Sequence, residues 1–158
     1  MNKLDIKYIS SQSKELIQLS PFFIFSDPIE FQGYSFRCLY LFMESLKIEQ
    51  EKKRKSFLEH FSSVENIRAF YSSKEYDLKF NKSKVESILI NNTKVDLTSP
   101  QFKNMMLNLI RTISGQNIAY KYSLLSSKKL NLEFSELNSI AKNFLITSKE
   151  FSSLIKSA

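Results

Sequence analysis

Apolar residues along the chain fall into short blocks whose period changes several times, and these changes divide it into elements. Residues 14–19 (KELIQL) are amphipathic and predict a short helix or ordered arm, which Pro21 stops. Phe22-Phe23-Ile24-Phe25 and Ile29-Glu30-Phe31 read as two extended segments around an Asp27-Pro28 turn, and Gly33 supplies a turn that tolerates positive φ. From Phe36 the period lengthens: Phe36, Leu39, Tyr40, Met43 and Leu46 recur at three- and four-residue steps, the stripe of a buried helix face. Glu44 and Lys47 stand three apart beside that stripe, placed either to pair or to point together into a cleft.

Residues 49–55 (EQEKKRK) are polar and mainly basic, and lead into Phe57, Leu58 and Phe61. Val64, Ile67, Phe70 and Tyr71 mark a further helical turn or two, with Ser63 as its cap. Residues 72–98 read two ways: Val85, Ile88 and Leu89 suit a helix, whereas Asn91-Asn92 between apolar flanks suits a small hairpin. Ser99-Pro100 is an N-cap followed by proline at the first helical position. Phe102, Met105, Met106, Leu109, Ile110 and Ile113 then form a wide apolar face, with Gly115 as the expected stop. A next helix holds Ile118, Tyr122 and Leu125, and apolar residues from Phe134 through Phe144 to Ile155 complete the tail. The expected fold is mainly α: a single compact domain over 1–158 with a small N-terminal β element, residues 1–18 forming a peripheral arm.

Composition narrows the chemistry. A chain of 158 residues, 42% hydrophobic and 25% charged, can bury a real core without staples. One cysteine and one histidine argue against a disulfide framework and a Cys/His metal site, so no metal or cofactor is expected. Only five glycines and prolines leave no glycine-rich phosphate loop. No apolar run suits a membrane span or a signal peptide, which predicts a cytoplasmic chain with no membrane partner. The surplus of 23 Lys+Arg over 16 Asp+Glu, a net charge of +7, attracts polyanions, so nucleic acid is one class of partner. Most of these cations are lysines rather than the bidentate arginine, which argues against sequence-specific DNA reading. The Lys-, Ile- and Asn-rich usage fits an A/T-rich microbial genome or that of a virus.

Candidate catalytic groups are few. Cys38, inside an apolar pattern and far in sequence from His60, reads as a buried structural thiol, and His60 as a surface residue. Glu30, Glu44 and Glu133 each adjoin apolar residues whose proximity raises a carboxyl pKa. Tyr120 and Tyr122 flank Lys121, and Tyr71 and Tyr76 flank a short polar stretch; such rings either stack on bases or sit in the core under lysine stems.

Two separated blocks carry a family resemblance. Leu19-Ser20-Pro21-Phe22-Phe23, then Pro28-Ile29, Gly33 and the aromatic stretch ending at Lys47 form the first; Met106, Gln116-Asn117 and Leu124-Leu125 form the second. Together they resemble the NADAR (YbiA-like) family over about residues 19–127. The resemblance implies a mainly helical domain that cleaves N-glycosidic bonds in riboflavin-pathway intermediates or in ADP-ribose attached to a base. The chain departs from the family pattern where chemistry resides. Tyr40 stands at the family's glutamate position, Leu41 at its histidine and Glu44 at its glutamine, while Phe42 keeps the first aromatic. The family's Asp-x-x-Trp-Gly block has no counterpart after Leu132-Glu133, and the chain has no tryptophan.

Expelling a base from ribose builds oxocarbenium character that needs a placed carboxylate, and a phenol at neutral pH supplies none. The expectation is a catalytically degenerate NADAR-like protein that binds a nucleotide-like small molecule or a protein partner. Its ligand residues would be Tyr40, Glu44, Lys47, Gln116 and Asn117. Two rival readings stand beside it. One is a diverged N-glycosidase using Glu44 or Glu133. The other is a basic helical protein whose Lys52–Lys55 and Lys128-Lys129 bind nucleic acid or a host factor.

Overall fold

Strand alternation, not helical period, governs the residues that open the aromatic stretch. In the computed structural model, which describes residues 6–10, 13–62, 85–139 and 144–158, Tyr34–Cys38 is a strand with Tyr34, Phe36 and Cys38 buried and Ser35 exposed. The described elements run in order β1 (Ile6–Ile9), a single 3-10 turn (Ile17–Leu19), β2 (Ile24–Phe31), β3 (Tyr34–Cys38), α1 (Leu39–Ser45) and α2 (Glu51–His60). Then come β4 (Ser87–Ile90), β5 (Thr93–Asp96), α3 (Pro100–Gln116), α4 (Ile118–Ser126), β6 (Asn131–Phe134), α5 (Ser135–Ser139) and α6 (Ser148–Ser157). Six strands thus accompany six α-helices among the described residues, so the fold is mixed α/β and the mainly α expectation is corrected. The strands form three separate two-stranded sheets. The error has a physical source: Phe36 lies three residues before Leu39, so the last strand positions mimic the first turn of the helix they feed.

The β2–β3 hairpin is antiparallel, with Phe31 opposite Tyr34, and turns through Gln32 and Gly33 at φ of 50° and 82°. Residues 87–96 settle as a second hairpin rather than a helix. Asn91 and Asn92 take φ of 49° and 63°, the left-handed pair of a two-residue turn that asparagine tolerates best after glycine. β1 pairs in parallel with β6, Ile6 opposite Asn131 and Ile9 opposite Phe134, which ties part of the expected arm to the tail. The expected helix at 14–19 shortens to the 3-10 turn. Gly115 does not stop α3; the helix ends one residue later at Gln116, and Asn117, by its extended backbone and side-chain cap on Tyr120 N–H, begins α4. The expected helix at 64–71, Tyr71, Tyr76, and Ile140-Ala141 of the tail lie outside the described residues.

One core joins these pieces. Met106, Leu109, Ile110 and Ile113 of α3 are wholly buried in the same cluster as Phe22, Phe25, Phe42 and Phe151. Among the described residues no helix is long and apolar enough to cross a membrane.

Candidate functional site

α1 is enclosed all the way round: every residue from Leu39 to Ser45 is buried. Its entry is fixed by Pro21, whose carbonyl accepts from Tyr40 N–H at 2.8 Å and from Cys38 Sγ at 3.4 Å. Burial pushes the Cys38 thiol up to about 12, which fits an inert structural cysteine. Tyr40 is 0% exposed, with its ring 4.8 Å from that of Phe22 and stacked on Phe144 at 5.3 Å. Tyr40, which the resemblance set against a glutamate, is therefore part of an aromatic core cluster.

Glu44 and Lys47 pair, as one of the two expected arrangements has it. Glu44 Oε2 lies 3.1 Å from Lys47 Nζ, and the two side chains are 1% and 4% exposed. Neither carboxylate oxygen makes a well-directed hydrogen bond among the described residues. Burial pushes the Glu44 carboxyl up to about 7, against the opposing pull of the Lys47 ammonium. Arg54, 2% exposed on α2, closes the end of α1: Nε donates to Ile48 O and Nη2 donates to Leu46 O at 3.3 Å. These are carbonyls left over beyond the helix C-terminus, where a cation is best placed. Arg54 is thereby withdrawn from the basic run at 49–55, in which Lys55 pairs with Glu51 at 3.7 Å.

Gln116 and Asn117 also have structural duties. Glu30 lies opposite Ser35 with its own N–H and C=O unused by β3 and pointing outward. Gln116 takes both: its Oε1 accepts from Glu30 N–H at 2.9 Å and its Nε2 donates to Glu30 O at 2.7 Å. The amide thus acts as one rung of a third strand and joins the second resemblance block to the hairpin within the first. Asn117 Oδ1 accepts from Tyr120 N–H at 2.9 Å.

None of Tyr40, Glu44, Lys47, Gln116 and Asn117 lines either of two cavities that the described residues form. The first, about 710 Å³, lies where α3 and α6 begin. Its apolar floor includes buried Phe102, Met106, Ile146 and Leu154, and exposed Lys103, Lys149 and Glu150 stand at its border. Sequence reading missed it, although both helix starts carry cap signals. Ser99 caps Phe102 N–H, and Thr147 with Glu150 forms a reciprocal capping box. The second cavity, about 570 Å³, is bordered by Glu133, Asn138 and Lys149. Glu133, half-buried, lines this cavity, and its Oε1 accepts from Asn138 Nδ2 at 3.1 Å.

The other expected contacts divide similarly. Lys128 Nζ donates to Ile155 O and Lys156 O, each at 3.1 Å, which commits it to the end of α6, while Lys129 is exposed. Tyr120 is buried and Tyr122 exposed, so they do not form a paired stacking platform. His60 is exposed and set edge-on to Phe61. Among the described residues no three His, Cys, Asp or Glu side chains come together as a metal site. No family model, no curated protein and no solved structure matches this chain.

Proposed function

We propose that this protein is a catalytically degenerate NADAR-like domain that works by binding. One observation carries the reading: Tyr40, at the family's glutamate position, and Glu44, one turn further along, are both sealed in the core, so α1 offers no carboxylate to a substrate. An acid that expels a base must reach the glycosidic bond, and a displacement of about one ångström already suppresses such chemistry. The cavity between α3 and α6 is the binding site in this reading. Its 710 Å³ lies within the roughly 300–1,000 Å³ of small-molecule pockets, and an apolar floor whose border carries two lysines against the single carboxylate of Glu150 suits a nucleotide-like ligand.

Glu133 supports a second reading, a diverged N-glycosidase, because its carboxylate borders the 570 Å³ cavity. One assay separates the two. With enzyme in excess over ADP-ribose-linked bases and aminopyrimidine ribosides, chromatography should detect no released base. Release that Glu133→Gln abolishes would establish the diverged enzyme, and release that Glu44→Gln abolishes would overturn the enclosed-acid argument.

A further inference from the structure

The face of the β1–β6 pair turned away from the core carries a polar patch with one aromatic ring beside it. Side chains alternate along each strand, and Ile9, Leu132 and Phe134 take the core side. The register leaves Ile6 beside Asn131 and Tyr8 beside Glu133 on the outer face, where Ile6 is 45% and Tyr8 60% exposed. Ile6, Asn131 and Glu133 also border the cavity of about 570 Å³, whose other polar side chains are Asn138 and, on α6, Ser148, Lys149 and Ser152.

These polar groups are held in place with hydrogen-bonding capacity to spare among the described residues. Glu133 Oε1 accepts from Asn138 Nδ2 at 3.1 Å, which leaves Glu133 Oε2 and Asn138 Oδ1 as acceptors. Asn131 Oδ1 accepts from Lys156 Nζ at 3.0 Å, which leaves the Asn131 amide N–H groups as donors. Ser148 is only 5% exposed, and its Oγ accepts from Phe134 N–H at 2.8 Å. Its own hydroxyl proton has no acceptor among the described residues, and on a buried side chain that lines a cavity such a proton calls for a ligand acceptor. Donors and acceptors around the cavity are thus mixed, and the one ammonium, Lys149, offsets the one carboxylate, Glu133.

We propose that this cavity binds a neutral pyranose sugar, one face of which lies against the Tyr8 ring while its hydroxyls bond to Asn131, Glu133, Asn138 and Ser148. Each hydroxyl of a sugar both donates and accepts, which matches a lining of mixed donors and acceptors with no net charge. An anion would meet the Glu133 carboxylate, and an apolar molecule would strand the polar groups without partners. A pyranose also presents C–H bonds on one face, and the negative face of a tyrosine ring attracts them. The volume falls within the roughly 300–1,000 Å³ of small-molecule sites. The sugar is held and not cut, because Glu133 is the single carboxylate among the described residues lining the cavity, whereas glycoside hydrolysis draws on a pair. Of the described lining residues only Lys149 is shared with the cavity between α3 and α6, so the proposal goes beyond the nucleotide-like reading and stands apart from it.

The test titrates the full chain, followed by amide NMR, with the methyl glycosides of glucose, galactose, mannose and N-acetylglucosamine. At least one should bind with a Kd of about 0.1–10 mM, and the shifted amides should gather in β1, β6 and the first turns of α6. Tyr8→Ala should weaken that binding at least about threefold and Glu133→Gln about tenfold, since glutamine keeps an oxygen for Asn138 but loses the charged acceptor. Both should keep the native circular dichroism, and Tyr122→Ala, an equally exposed tyrosine on α4, should leave the affinity unchanged. Maltotriose against methyl glucoside tells a segment of glycan from a free sugar, and binding of either through Tyr8 and Glu133 supports the proposal. No binding of any glycoside at about 50 mM, or binding that both Tyr8→Ala and Glu133→Gln leave intact, would overturn it. So would glucose 6-phosphate binding more tightly than the neutral glycosides through the same residues.

Discussion

The Glu44 carboxyl makes the stability of this fold depend on pH in a direction opposite to that of most carboxylates. Its ordinary value of 4.5 rises to about 7 on folding because the side chain is enclosed and the single ammonium of Lys47 offsets only part of the lost hydration. Between those two values the folded chain keeps a proton that the unfolded chain releases, so stability falls as pH rises from about 4.5 to about 7 and levels off above. The shift corresponds to about 3 kcal/mol across that window, a large share of the ~5–15 kcal/mol that holds a domain together. Urea unfolding followed by circular dichroism at about pH 5, 6, 7 and 8 measures it, with Glu44→Gln as the reference that cannot titrate. Wild type should lose about 2–3 kcal/mol relative to Glu44→Gln between the lowest and highest pH, whatever the absolute stability of the variant. Parallel curves for the two proteins would refute the enclosed, partly compensated carboxyl.

Three substitutions probe the surrounding architecture. Tyr40→Glu places a carboxylate between Phe22 and Phe144; it should destabilise by about 3–5 kcal/mol in urea unfolding and release no base, and a fully stable variant would contradict the packing. Gln116→Ala removes both bonds to Glu30 and should lower stability by about 1 kcal/mol, with faster amide exchange at Glu30 than in wild type. Arg54→Met keeps the apolar stem but strips the donors from Leu46 O and Ile48 O; a loss of about 2 kcal/mol is expected, and an unchanged unfolding midpoint would show that the guanidinium does not close α1.

Local signals in the chain were legible and pairings across it were not. Ser99-Pro100 announces α3 because a cap and a proline act within one turn of each other, and the structure starts the helix there. Gly33 marks the β2–β3 turn for the same local reason. β1 and β6 are four residues each and pair across more than a hundred positions, so nothing near either one declares a strand. Phe36 misled because strand and helix periods coincide at the β3–α1 junction. The site residues followed the same rule. The three-residue spacing of Glu44 and Lys47 anticipated their pair, whereas the Gln116 amide is committed by a strand edge that lies 86 positions away. The cavity between α3 and α6 arises from two helix starts meeting in space, and of their two caps the sequence reading marked only Ser99.

Hydrogen exchange of α1 is the most direct test of the claim that this helix is core and not catalytic surface. Amides of residues 39–45, read by mass spectrometry after peptic digestion, should fall in the slowest class, exchanging only with global unfolding, and saturating ADP-ribose should leave their rates unchanged relative to the rest of the core. Fast exchange in α1, or selective slowing there when ADP-ribose is added, would contradict the account and return Glu44 to a ligand-facing role.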